Sequence, residues 1–141
     1  MKMKSKSDNK KDQKKQGGMQ SKSAAEVPAF WLFVSRREIG VRDIKDALEG
    51  FPGADIEIWE AAGVLEITLE DGKSIDLEET ACDLGDDYSN HFLEENGAKT
   101  LLYVTIRPES YALAAPVMRA AAEKLDGFFC GDTDDFKPRV P

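Results

Sequence analysis

Residues 54–78, ADIEIWEAAGVLEITLEDGKSIDLE, decide how this chain is read. Ala54, Ile56 and Ile58 alternate with Asp55, Glu57 and Trp59. Leu65, Ile67 and Leu69 alternate with Glu66, Thr68 and Glu70, and Ile75 and Leu77 alternate with Ser74, Asp76 and Glu78. Successive side chains of a strand point to opposite faces, so each run is a strand with aliphatic residues on one side and mostly acids on the other. Ala61-Ala62-Gly63 marks a tight turn after the first strand. Asp71-Gly72 between the next two predicts a type I′ hairpin, whose central positions both need positive φ. Residues 54–78 therefore form a meander with one apolar face and one acidic face that carries a tryptophan.

Before the meander, Phe30-Trp31-Leu32-Phe33-Val34 is a continuous apolar run, which reads as an interior strand covered on both faces. Val41, Ile44, Leu48 and Phe51 are spaced by three, four and three, the period of one helical face. Gly50 and Phe51-Pro52-Gly53 stop that helix of about ten residues. After the meander, Leu84, Tyr88, His91, Phe92 and Glu95 lie at helical spacing, with Asp86 or Asp87 as a cap and Asn96-Gly97 as a stop. Residues 100–106, TLLYVTI, predict a further strand. The last helix opens at Arg107-Pro108-Glu109-Ser110 and buries Tyr111, Ala114 or Ala115, Met118, Ala121 or Ala122, and Leu125. Pro116 either kinks it or starts it. Phe128-Phe129-Cys130 predicts a short terminal strand, and 131–141 an irregular acidic tail.

Strand, helix, three strands, helix, strand, helix, strand amounts to two split βαβ halves sharing one mostly antiparallel sheet. The expected fold is α+β: a two-layer sandwich of ferredoxin-like type with an added hairpin strand and two to three helices on one face. Roughly 115 residues are enough for a normal core.

The chain has 141 residues, of which 41% are hydrophobic and 33% charged, with a net charge of −8. The charge is unevenly spread. The first 25 residues hold eight lysines against two aspartates, so the rest is far more acidic than the mean. Residues 1–27 lack the apolar content to offset chain entropy and are expected to be a disordered, solubilising tail. Should the tail act, the nearest large opposite charge is the domain to which it is attached. Its lysines come without arginine or interleaved aromatics, a poor pattern for nucleic acid or membrane. No apolar run reaches the roughly 20 residues of a membrane span, and no apolar core follows the basic start, so no secretory signal is expected and the cytoplasm is the expected compartment. Cys82 and Cys130 lack the spacing of a zinc site or a disulfide scaffold.

Sites of chemistry are sparse. His91 is the only histidine, flanked at helical spacing by Asp87 and Glu95, and no nucleophile motif accompanies it beyond a distant Cys82. Arg36 and Arg37 stand where the first strand meets the first helix, a common docking place; with His91 and nearby acids they would serve a small ligand-binding or enzymatic domain. Asp83, Asp86 and Asp87, like Asp132, Asp134 and Asp135, do not keep the calcium-loop pattern. No metal site and no cofactor is expected. The most informative feature is the polar face of the meander. Trp59 would act as anchor, with Glu57, Glu66, Glu70, Asp76 and Glu78 as pairing and steering charges for a basic protein partner; the same face repels nucleic acid. An antiparallel sheet also turns a polar face to water for solubility alone, with Trp59 then packed under residues 80–96.

A small acidic domain without catalytic motifs resembles, in size and charge, the bacterial immunity or inhibitor proteins that neutralise basic toxins, many of them nucleases. That resemblance implies a non-enzymatic cytoplasmic binding protein.

Overall fold

The computed structural model describes residues 27–141. The expected disordered tail, 1–27, lies outside the described residues except for Val27, which packs against the core. Seven strands form one antiparallel sheet: β1 (Phe30–Ser35), β2 (Asp55–Trp59), β3 (Val64–Thr68), β4 (Ser74–Thr80), β5 (Thr100–Thr105), β6 (Gly127–Gly131) and β7 (Arg139–Val140). Three α-helices connect them: α1 (Val41–Ala47), α2 (Asp87–Glu95) and α3 (Tyr111–Lys124). The spatial order is β2-β3-β4-β5-β1-β6-β7. Within it, β6-β1-β5-β4 is a pair of interleaved split βαβ units. β1 leads through α1 to the meander and leaves room for β5 beside it, while β5 leads through α3 to β6 and leaves room for β1. The fold is the expected α+β sandwich, with β2 and β3 extending the sheet past β4.

The inner layer follows strand parity. Trp31 and Phe33 of β1, Leu65 and Ile67 of β3, Ile75 and Leu77 of β4, and Leu102 and Val104 of β5 are buried against α1 and α3. Trp31 stacks on Tyr111 and Phe33 packs on Phe129, with ring centroids 5.7 and 4.6 Å apart. From α1 come Val41 and Ile44, and from α3 come Ala114, Val117, Met118, Ala121 and Ala122. The small residues of α3 let the helix lie close to the sheet. Pro116 does not interrupt α3; it sits inside the helix on the exposed side, as does Ala112, so the carbonyl that loses its partner faces water.

One expectation about the layers is corrected. The helices do not all share a face, because α2 lies on the opposite side from α1 and α3. There Leu93 and Phe92 cover Leu32, Val34, Leu101, Phe128 and Cys130, together with Leu84 and Phe136. A sheet whose central strands are apolar on both sides needs this second cover. Phe136 belongs to the segment expected to be an irregular tail. It stacks on Phe92 at 3.9 Å, and Arg139–Val140 pairs with β6, so the C-terminal residues are part of the sheet and its cover. Asp86 caps α2 by accepting from the Ser89 amide at 2.8 Å.

Two turns differ from expectation. Helix α1 ends at Ala47, sooner than Phe51, and Gly50 at φ +79° carries the chain out of it. Its start is held by Asp43, which accepts from the Gly40 amide, and by Glu79 of β4, which accepts from the Val41 amide at 2.8 Å. The β3–β4 hairpin is present, but its loop is not type I′. Only Gly72 has positive φ, and the Gly72 amide donates to the Leu69 carbonyl while the Leu69 amide donates to that of Lys73. This is a three-residue loop, a type I turn closed by a left-handed glycine.

Close approach and turn chemistry both lead to measurable outcomes. A Cβ on Gly127 would stand 2.3 Å from the Val34 carbonyl oxygen. Gly127→Ala should therefore cost about 2 kcal/mol or more in urea unfolding, and an unchanged midpoint would contradict this packing. Asp71 accepts from the hydroxyl of buried Ser110 at 2.5 Å and from the Lys73 amide at 2.9 Å, which ties the hairpin to the start of α3. These bonds, that from Ser110 foremost, hold the Asp71 carboxyl below its ordinary range. A depressed folded pKa gives stability that is present above the unfolded value of about 3.9 and lost as pH falls through the folded value. Ser110→Ala should destabilise at neutral pH, and its deficit should shrink in acid; a deficit independent of pH would remove the carboxylate from the account.

Candidate functional site: an acidic sheet face

Register places the polar side chains of the meander in rows across the sheet. Glu57 pairs with Glu66, Glu66 with Asp76, Asp76 with Thr105, and Thr105 with Phe30. A second row runs Trp59, Val64, Glu78, Tyr103, Leu32. A third joins Asp55, Thr68 and Ser74. Directly opposed residues hold their Cβ atoms about 5 Å apart, so the first row brings three carboxylates side by side. Like charges in that arrangement oppose pairing by roughly 0.2–1 kcal/mol each.

Nothing among the described residues neutralises them. The ion pairs there join Arg36 to Asp126, Arg42 to Glu60, His91 to Glu95 and Arg107 to Glu109. Asp76 takes one hydrogen bond from its neighbour Ser74, at 3.1 Å. The aromatics beside the acids are open to solvent: Trp59 is 48% exposed, Tyr103 41% and Phe30 64%. Trp59 is thus half open to solvent and not buried beneath residues 80–96. Of the six residues singled out from the sequence, Trp59, Glu57, Glu66, Asp76 and Glu78 share this platform. Glu70 does not. It lies past the end of β3, in the hairpin loop, with its carboxylate folded against Gly53.

Beside the platform, the outer face continues into a groove of about 580 Å³ between the start of α2 and the loop after β6. Tyr103 forms its near wall, Tyr88 and Phe136 add aromatic surface, and Asp86, Asp132 and Asp134 add charge. Tyr88 stacks on Phe136 and donates to the Asp134 carbonyl at 3.2 Å. Sequence reading missed this extension because Asp132–Phe136 lacks any periodic signal; only the apolar Phe136 in an acidic stretch hinted at burial.

The alternative set of residues is not brought together. The Arg36 guanidinium, its pKa raised chiefly by the hydrogen bond to Asp126, pairs with that residue at 2.9 Å. Arg37 donates to the Lys124 carbonyl at 3.3 Å, so both arginines fasten the end of α3 to β1. His91 stands exposed on α2, 3.2 Å from Glu95. The Cys82 thiol is raised by burial and by Asp83, and burial pushes that of Cys130 up to about 12, so neither is poised as a thiolate. The cavity beside Arg36 is lined by Val34, Asn96, Phe128 and Arg139, without His91 or Cys82. Among the described residues no group of three His, Cys, Asp or Glu side chains is placed to hold a metal ion, and no helix is long and apolar enough to cross a membrane.

Compared with protein-family models, with curated proteins and with solved structures, the chain matches none.

The carboxylate row makes a stability prediction. Glu66→Gln, at the centre of the row, should raise unfolding stability by about 0.5 kcal/mol at low salt, with the gain fading as salt screens the repulsion. A loss of stability on this change would mean that Glu66 has a favourable partner.

Proposed function

We propose that this chain is a non-enzymatic, cytoplasmic binding protein whose acidic sheet face engages a basic surface of another protein. The observation that carries this reading is the row Glu57, Glu66, Asp76, set side by side without a cation among the described residues and next to a half-exposed tryptophan. A negative field without internal partners speeds the encounter with a positive surface, and an aromatic anchor supplies contact area that is desolvated on docking. Trp59, Glu57, Glu66, Asp76 and Glu78 form the core of the interface, and the Tyr88–Tyr103–Phe136 groove extends it. The resemblance in size and charge to immunity and inhibitor proteins points to a basic toxin, such as a nuclease, as the class of partner.

Trp59→Ala should leave the circular dichroism spectrum intact and weaken the complex with a captured basic partner by about 2 kcal/mol or more. Replacing Glu57, Glu66 and Asp76 by their amides should slow association and flatten its salt dependence. Surface plasmon resonance on the purified pair measures both. Rates and affinity unchanged in both variants would refute the proposal.

A further inference from the structure

We infer that β2 is an open docking edge, and that a basic protein partner joins it by adding an antiparallel strand with Lys or Arg on its outward side and aliphatic residues on its inward side. The charge of that strand rests on the proposed acidic docking face; the backbone contact goes beyond it.

β2 ends the sheet, with β3 on its inner side. Hydrogen-bond parity identifies the backbone groups it leaves over. The Leu69 amide donates to the Lys73 carbonyl and the Glu79 amide to the Gly63 carbonyl, so odd-numbered residues on the β3 side turn their backbone groups to β4. Even-numbered Val64, Glu66 and Thr68 then face β2, where they meet Trp59, Glu57 and Asp55. The amides and carbonyls of Ile56 and Ile58 therefore point off the sheet, and among the described residues nothing bonds to them. The inner layer is unfinished at the same place. Ile56 and Ile58 are half-buried, whereas Ile67 and Leu65 opposite them are buried. A further strand with aliphatic residues inward continues that layer and supplies the missing hydrogen bonds.

Charge decides which strand fits. The other edge, β7, is only two residues long. β2 has five residues paired to β3 without a bulge and contains neither proline nor lysine, so its outward acids are its one guard. That guard is selective. In a pair of copies, the register that bonds Ile56 of each to Ile58 of the other sets Glu57 against Glu57, which opposes self-association. A partner strand that bonds both isoleucines places its outward residues opposite Asp55, Glu57 and Trp59. The position opposite Glu57 is of the non-hydrogen-bonded kind, where facing side chains come closest. A Lys or Arg there caps the row Glu57, Glu66, Asp76 with the cation that the described residues do not provide, and an Arg opposite Trp59 stacks on its ring.

The experiment titrates the full chain with a fluorescein-labelled Lys-Val-Arg-Val-Lys-Val-Arg peptide and with two N-methylated forms of it, one methylated at its valines and the other at the basic residues that follow them. Valines stand opposite Ile56 and Ile58 and donate their N–H groups to β2. Methylating them should weaken binding about tenfold or more, whereas methylating the basic residues should change it by less than about twofold. Binding of the unmethylated peptide should also slow hydrogen exchange of the Ile56 and Ile58 amides about tenfold or more. If all three peptides bind equally, and the Glu57→Gln, Glu66→Gln, Asp76→Asn variant weakens them alike, strand addition is overturned and the docking face stands. A loss confined to the peptide methylated at its basic residues means parallel addition and overturns the antiparallel pairing. Binding that ignores the acid replacements removes the docking face and this inference together, and failure of the unmethylated peptide to bind overturns strand addition. Ile56 and Ile58 amides protected before peptide is added, with a dimer in sedimentation, assign the edge to a second copy and overturn it.

Discussion

Strand β1 puts Trp31 and Phe33 on one side of the sheet and Leu32 and Val34 on the other, and all four are buried. A strand of that kind is stable only with apolar cover above and below and with hydrogen-bonding partners on both edges. β5 and β6 supply the edges, α1 and α3 the inner cover. On the outer side the cover is α2 with Phe136, whose ring stacks on Phe92. Ser35 closes the far end of the strand: its hydroxyl donates to the Leu125 carbonyl at 2.7 Å and accepts from the Arg37 amide, so a buried polar side chain links the sheet to the last turn of α3.

The outer cover extends only as far as the apolar residues beneath it. Leu32, Val34, Leu101, Phe128 and Cys130 come from β1, β5 and β6, whereas the same face of β2, β3 and β4 presents Glu57, Trp59, Glu66, Asp76 and Glu78. α2 therefore sits over one part of the sheet and leaves the other open. The groove along α2 and the platform beyond it are two consequences of the same alternation. Tyr103, on β5 between the covered and the open parts, borders both.

Strong periodicity made most of this legible. The meander, the interior strand and the buried stripe of α3 each follow from spacing alone, and the parity of residues 54–78 put five of six chosen side chains on one face. The failures have local causes. Parity was carried one residue too far at Glu70, where the chain had already entered its turn. Asp71-Gly72 signals a hairpin but does not set loop length, and here the loop spans three residues with positive φ at Gly72 alone. The side on which α2 packs depends on Phe136 and Leu84, which are isolated apolar residues in polar surroundings and carry no period. The arginines drew attention as a docking pair because they follow a strand. Their partners, Asp126 and the Lys124 carbonyl, lie some 90 residues away and no spacing rule connects them.

The fold itself does not require the carboxylate row. Thr68 occupies an equivalent outward position on β3 and would serve at 66 with better strand propensity and no repulsion. The basic residues near the ends of the domain are committed to other acids: Arg36 to Asp126, Arg42 to Glu60, Arg107 to Glu109. Cross-strand repulsion is therefore a standing cost of roughly 1 kcal/mol in all, small against a domain stability of about 5–15 kcal/mol but not offset by any ion pair among the described residues. Such a cost is relieved by cations that come close to the face, dissolved salt among them. On the proposed docking, the more charge a partner brings, the more of that repulsion it would remove, so the same row that weakens the free sheet would strengthen such a complex.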